Sequence, residues 1–363
     1  LALGLCIVAV LVGIDTENPP TAPQAVTAVL AVMTAFGLAA ALVVNARRQE
    51  LAESADLREM ETVFTTRFRE GTSLLSADGQ AERLAGVYVL TALAEEYPNR
   101  AVLCADVLCG YLRIEKLRAT HSQFVVQYQG PQPDPEPYEI DESIWSAIRA
   151  DFEVRFTIER ELARLTRGPG AGGGPWSHLQ LNLARSLLIN FTLIDCVVAD
   201  LVLDYAVLID ETDFSKADIG TFSAIGTRFN GPTRWSMTRL GTTTTPIIDT
   251  AEFAAEAEIS GLRLPKGARL ASCHFHGEAA FEGLESGGTQ VVEFINCQFD
   301  GNTTFEDANF DGQGVIFQHC RFKDGRVNFD RASAHASNFE NVPGLDLENS
   351  GANAPNLNSR VTQ

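Results

Sequence analysis

The sequence predicts three parts in order: a pair of membrane-crossing helices, an α-helical middle region and a C-terminal β-helix. Three observations lead there. Residues 24–45 carry no charge, over a length that matches the apolar core of a bilayer. Apolar residues then recur at helical spacing to about residue 165. From about His178 onward the period changes to five, the repeat of a solenoid rather than of a helix.

Size and charge narrow the function classes. The 363 residues leave room for two or three domains. Net charge is −19; residues 1–177 hold 15 basic and 23 acidic side chains, and residues 178–363 hold 13 and 24. No block is basic enough to neutralise a run of phosphates, so direct nucleic-acid binding is not expected. The seven cysteines (Cys6, Cys104, Cys109, Cys196, Cys273, Cys297 and Cys320) follow no disulfide-framework spacing. Free thiols point to a reducing compartment.

Within residues 1–45, Ala25–Val44 supplies about the 20 apolar residues that one crossing needs. Leu1–Ile14 is equally apolar but shorter, and is read as a first span truncated at its N-terminus; a signal peptide is the competing reading. The connecting loop, Asp15–Pro23, has two acids and no Lys or Arg, whereas Arg47 and Arg48 follow the second span. Positive charge stays inside, so the expectation is a multi-pass plasma-membrane protein with everything after residue 45 in the cytoplasm.

The juxtamembrane region 46–128 is expected to be helical. Leu57, Met60, Phe64 and Phe68 form one stripe. A second helix should run from about Ala81 to Tyr97, with Leu84, Val87, Tyr88 and Thr91 on one face, and Pro98 ends it. A third, from about Arg100 to Arg118, turns Cys104, Leu108, Tyr111 and Leu112 inward. Cys104 and Cys109 lie about 140° apart round that helix and read as core thiols rather than metal ligands. The stretch 129–140 includes four prolines and should be an exposed loop. Residues 141–167 form a further helix with Asp141 as N-cap and Ile144, Ile148, Phe152, Phe156 and Leu162 on one side. Residues 168–177 contain Gly168–Gly174, a linker without the Lys-Ser/Thr ending of a phosphate-binding loop.

Residues 178–345 carry the repeats: a small residue, any residue, then Phe or Leu, then two polar or small residues. Examples are Thr212-Asp213-Phe214, Thr227-Arg228-Phe229, Cys273-His274-Phe275 and Cys297-Gln298-Phe299. The Phe residues at 294, 299, 305, 310, 317, 322 and 329 alternate short and long spacings. The longer sides hold Asp300-Gly301, Asp311-Gly312 and Asp324-Gly325, dipeptides suited to tight turns with positive φ at glycine. Four sides of about five residues would close a coil of about 20 residues, with the small and large residues inward and the one between them outward. Gly231–Thr250 reads as an interruption and as a protruding loop, and the helix at 141–167 as a cap on one end. Residues 346–363 form a polar tail.

These repeats resemble those of bacterial pentapeptide-repeat proteins. The segment Arg67–Arg113 is similar to the helical region that precedes the repeats in membrane-anchored members. The resemblance implies a right-handed quadrilateral β-helix over the repeat region. Here few copies are strict Ala-Asp/Asn-Leu, which leaves the register open at 178–211 and 231–250.

No catalytic, cofactor-binding or metal-ligating residue is assigned. In Cys273-His274-Phe275-His276 the register points Cys273 inward and both histidines outward, so the cysteine and histidines cannot share an ion. Acid pairs such as Glu306-Asp307 fall on an outer, solvated face with no reason for a shifted pKa. The expected function is a non-enzymatic, membrane-anchored scaffold that offers its β-helix to a protein partner, with self-association of the chain also open. The alternative, drawn from the resemblance, is an acidic mimic of duplex DNA that binds a gyrase-type topoisomerase.

Overall fold

The computed structural model describes residues 22–113, 142–168, 172–287, 290–310, 314–323, 327–334, 337–340 and 342. The expected first span Leu1–Ile14, the proline-rich loop, the Asp141 cap, the turns at Asp311-Gly312 and Asp324-Gly325 and the tail 346–363 lie outside them. Among the described residues four α-helices come first: α1 (Ala22–Leu75), α2 (Gln80–Glu96), α3 (Ala101–Leu112) and α4 (Glu142–Thr166). The chain divides into two compact units, residues 1–66 and 67–363.

The membrane hairpin expected over residues 1–45 is corrected. Among the described residues, no helix is long and apolar enough to cross a membrane. Half of the positions from Ala25 to Val44 are Ala, Gly or Thr, side chains that bury little apolar area. The run is also no separate helix ending at Asn45, since α1 continues unbroken through Arg47, Arg48 and Glu50 to Leu75. The expected multi-pass plasma-membrane location, with the rest of the chain cytoplasmic, falls with the hairpin.

In the second unit, α1 ends against α2. A Cβ on Gly86 of α2 would lie 2.5 Å from the Leu75 nitrogen, so only glycine permits this approach. Val87, Leu90, Thr91 and Leu93 of α2 are buried, as are Cys104, Leu108, Cys109, Tyr111 and Leu112 of α3. Two expected inward aromatics are on the outside: Tyr88 and Phe156 are 47% and 40% exposed. The inner face of α4 is instead Asp151, Val154, Arg155, Ile158, Glu159, Leu162 and Leu165. A scan for apolar residues misses this face because it holds a charged network. Arg155, fully buried, donates from Nε to Asp151 Oδ2 at 2.7 Å, and the Tyr111 hydroxyl donates to Asp151 Oδ1 at 2.8 Å.

From Gln180 to Glu340 short parallel strands stack as coils with four sides. One coil shows them all: Arg263–Leu264, Ala268–Ala271, His274–Phe275 and Ala279–Ala280, called here the first to fourth sides. The first two sides join in one 13-stranded sheet, because Asp218–Ile225 runs round the corner between them. The third and fourth sides are separate sheets of seven and six strands. On the third side Leu188, Leu208, Phe229, Phe253, Phe275, Phe299 and Phe322 align. Successive coils there take 20, 21, 24, 22, 24 and 23 residues. The five-residue side is therefore the minimum, and added residues go into corners.

The column of rings explains why Phe recurs. Phe229, Phe253, Phe275, Phe299 and Phe322 stack with centroids 4.7, 4.4, 4.9 and 4.8 Å apart, close to the spacing of hydrogen-bonded strands. On the same side, the small inward residues Ser186, Ala206, Thr227, Ala251, Cys273, Cys297 and Cys320 are all buried. Thr227 Oγ1 donates to the Leu203 carbonyl at 2.8 Å and Cys320 Sγ to that of Phe294 at 3.2 Å, each one coil back, while Ser186 Oγ donates to Leu183 within its own coil at 2.6 Å. The described cysteines are free and buried, as the sequence implied. Burial pushes the Cys104 and Cys109 thiols up to about 11 and about 12, which makes them poor nucleophiles.

Two expectations change. Gly231–Thr250 is no interruption: Thr233–Arg234, Arg239–Leu240 and Ile247–Asp249 pair in register with the coils on both sides. Trp235 fills the place of a Phe and stacks on Phe214 at 6.0 Å. The extra residues form a turn at Gly241–Pro246, tied back by Thr221 and Thr243 hydroxyls 3.0 Å apart. Gly301 does not take positive φ; from 294 to 331 the described left-handed residues are Asn296, Asp307, Gly314, His319 and Arg331. Glycine is needed at 301 because a Cβ there would lie 2.2 Å from the Gly277 carbonyl oxygen of the preceding coil.

The first coil is closed by the helices. Its backbone has no coil below to pair with, and charged side chains take that place. Arg155 Nη1 donates to the Leu187 carbonyl at 3.3 Å, Arg113 to that of Asn182 at 3.0 Å and Arg167 to that of Ile194 at 2.8 Å. Glu159 accepts the Ile189 N–H on both carboxylate oxygens, at 3.1 and 3.2 Å.

Candidate interaction surface

The interior is filled by the side chains of the repeats, so chemistry and recognition belong to the outer positions. On each side the residue between the small and large inward positions points out, and its neighbours are the equivalent residues of the next coils. The third side reads Arg228, Glu252, His274, Gln298, Arg321. The fourth reads Asp213, Arg234, Glu258, Ala280, Thr304, Asn328.

Opposite charges meet across coils. Arg228 pairs with Glu252 at 3.4 Å, Arg263 with Glu285 at 3.1 Å and Arg239 with Asp218 at 2.6 Å. Arg234 bridges Glu211 and Glu258. All are surface pairs, individually worth about 0–1 kcal/mol; their effect is to set the charge pattern of the faces. Glu306-Asp307 departs from expectation. Arg331 of the next coil contacts both acids, at 2.5 and 2.7 Å, and its hydrogen bond holds the Asp307 carboxyl below the usual range.

The second side is the widest. Its later strands, Ala268–Ala271, Val292–Ile295, Val315–Gln318 and Ser337–Glu340, have four residues where the other sides have two. It also carries outward apolar residues: Ile247 is 43% exposed, and Ile295 and Ile316 are half-buried.

A cleft of about 430 Å³ lies between α4 and the first coil, lined by Phe156, Arg160, Arg164, Arg167, Asn190 and Thr192. Glu159 also borders it, and burial holds that carboxyl well above its ordinary range against the opposing Ile189 N–H and Arg155. Among the described residues no nucleophile and base are paired there.

The structure sorts Cys273-His274-Phe275-His276 as the register implied: Cys273 and Phe275 are inside, both histidines outside. The linear motif conceals the third member. Asp300 follows His276 by one coil of 24 residues, and its Oδ2 lies 2.6 Å from His274 Nε2. The findable signal was a His-x-His pair on an outward side with an acid one coil later, legible only once coil length is known.

Residues 289–342 match the family model for pentapeptide repeats, which spans nine copies. No curated protein and no solved structure matches the chain significantly. Together the matched segment and the stacked four-sided coils support a pentapeptide-repeat protein, a β-solenoid preceded by a helical region.

Proposed function

We propose that the solenoid is a non-enzymatic scaffold whose wide second side binds a protein partner. The observation that carries this reading is the ladder of parallel strands from Ile247 to Glu340, in which Ile247 and Ile316 share one outward column with Arg269 and Glu293 between them, and Ile295 lies in the column of Asp249, Ala271 and Gln318. A rigid face of aligned strands presents side chains at fixed spacing and loses little entropy on binding. β-Solenoids of this repeat class suit interaction rather than catalysis, and their stacked repeats form extended surfaces. The acidic DNA-mimic reading has less support. Arginines from neighbouring coils interleave the acids at Glu252, Glu258, Glu285 and Glu306, which breaks up any phosphate-like row.

The test is a cross-linking pull-down with the wild-type chain and an Ile247→Glu/Ile316→Glu variant. Both changes are outward, so thermal melting should stay within a few degrees. Loss of the captured partners with folding intact is expected. Recovery of the same partners at the same yield would remove the second side as the binding face.

A further inference from the structure

We infer that His274, His276 and Asp300 form a binding site for a divalent transition-metal ion on the third side of the solenoid. The three offer one ligand atom each, all within 4.8 Å of one another. Asp300 Oδ2 lies 2.6 Å from His274 Nε2 and 3.5 Å from His276 Nδ1, and the two imidazole centroids are 3.7 Å apart. Two imidazoles and a carboxylate suit Zn²⁺, Co²⁺, Ni²⁺ or Cu²⁺, whose bonds to such atoms are about 2.0–2.2 Å. Ligands on one such ion sit about 3.3 Å apart at tetrahedral angles. Small side-chain rotations bring the three atoms to that spacing.

The backbone beneath the site is fixed. The N–H groups of His274, His276 and Asp300 donate to Ala251, Phe253 and Phe275 one coil back, at 2.9, 2.9 and 2.8 Å. Cys273 and Phe275, on either side of His274, are locked in the core. The site therefore needs no ordering of a loop.

A second layer of contacts orients the ligands. Gln298 donates from Nε2 to Asp300 Oδ1 at 2.8 Å, which turns Oδ2 toward the histidines. Glu252 Oε1 lies 3.2 Å from His276 Nε2. A carboxylate only accepts, so Nε2 of the neutral ring carries the proton and Nδ1, facing Asp300, keeps its lone pair. This carboxylate–histidine arrangement is the one that metal-ligating imidazoles use. His274 reaches its ligating form by moving its proton to Nδ1. Arg228 also holds Glu252, at 3.4 Å, and Arg321 lies over Gln298 in the ladder. The ligand side chains are about one-third exposed, at 33%, 37% and 37%. Open coordination positions thus face solvent, where water or a partner's side chain completes the shell.

Titrating the full chain with ZnCl2 by calorimetry tests the site. The expected result is one saturable ion per chain with micromolar affinity. A His274→Ala/His276→Ala variant should lose that binding, and Asp300→Asn and Glu252→Gln should each weaken it at least about tenfold. These positions are outward, and unchanged circular dichroism confirms that each variant is folded. CoCl2 adds a signature: visible bands of a nitrogen–oxygen site without thiolate charge transfer, which separates it from the buried cysteines. Absence of saturable binding to the wild type, thiolate bands with cobalt, or equal affinity in the double histidine variant would overturn the assignment.

Discussion

Glu159 and Arg155 are charged residues in places where an apolar scan expects Leu, and their surroundings account for both. Arg155 is held by Asp151 and by the carbonyls of Leu112 and Leu187, so its charge is matched on the side of α4 that meets the first coil. Glu159 is less fully matched. Burial raises its carboxyl well above the ordinary range, with the Ile189 N–H and Arg155 opposing. Below about pH 4 the group is protonated in folded and unfolded chains alike, and costs nothing. As pH climbs toward the folded value, the unfolded chain releases its proton first and stability falls. Glu159→Gln keeps an acceptor for Ile189 and removes that loss. Thermal melts should show the variant above the wild type at pH 8, with the gap closing toward pH 4. Identical melting across the range would mean that the buried carboxylate is ionised at no cost.

At the scale of the element, the sides were legible and the corners were not. Alternation of small and large residues gave the inward positions correctly, including Cys273, Cys297 and Cys320, because each side turns its small and its large residue into the interior. The corners follow backbone constraints that composition only hints at. Among the described residues from 294 to 331, left-handed φ falls on Asn296, Asp307, Gly314, His319 and Arg331, and Gly301 is not one of them. Gly301 is a matter of clearance between coils instead. Gly301→Ala should therefore destabilise the solenoid by about 1–3 kcal/mol in urea unfolding. Gly287→Ala, where a Cβ meets nothing within 4 Å, should be within about 0.5 kcal/mol of wild type. Equal effects would show that clearance from the Gly277 carbonyl does not select glycine at 301. The histidine site was hidden for a related reason: Asp300 reaches His276 through a coil of 24 residues, a length the strict period of five does not give.

For the whole molecule, the coil is the unit of construction. Stability in such stacks is close to a sum over repeats and their interfaces. Deleting residues 254–275 removes one full coil and places His276 directly after Phe253, in register. The shortened chain should keep its β-sheet circular dichroism and one cooperative melt at a lower midpoint. Deleting 254–264 keeps the inward alternation but removes two of the four sides, so each later side stacks on the opposite one; its midpoint should fall below that of the full-coil deletion, and an equal midpoint would contradict the four-sided register. The charged cap beneath the first coil has a consequence of its own. Parallel strands can template further strands at any bare edge, and a filament needs two such edges on every subunit. Arg155, Arg113, Arg167 and Glu159 take up three carbonyls and one N–H of one edge. Replacing these four side chains with alanine should therefore expose a pairing edge, and light scattering of the variant should rise with time where the wild type stays flat.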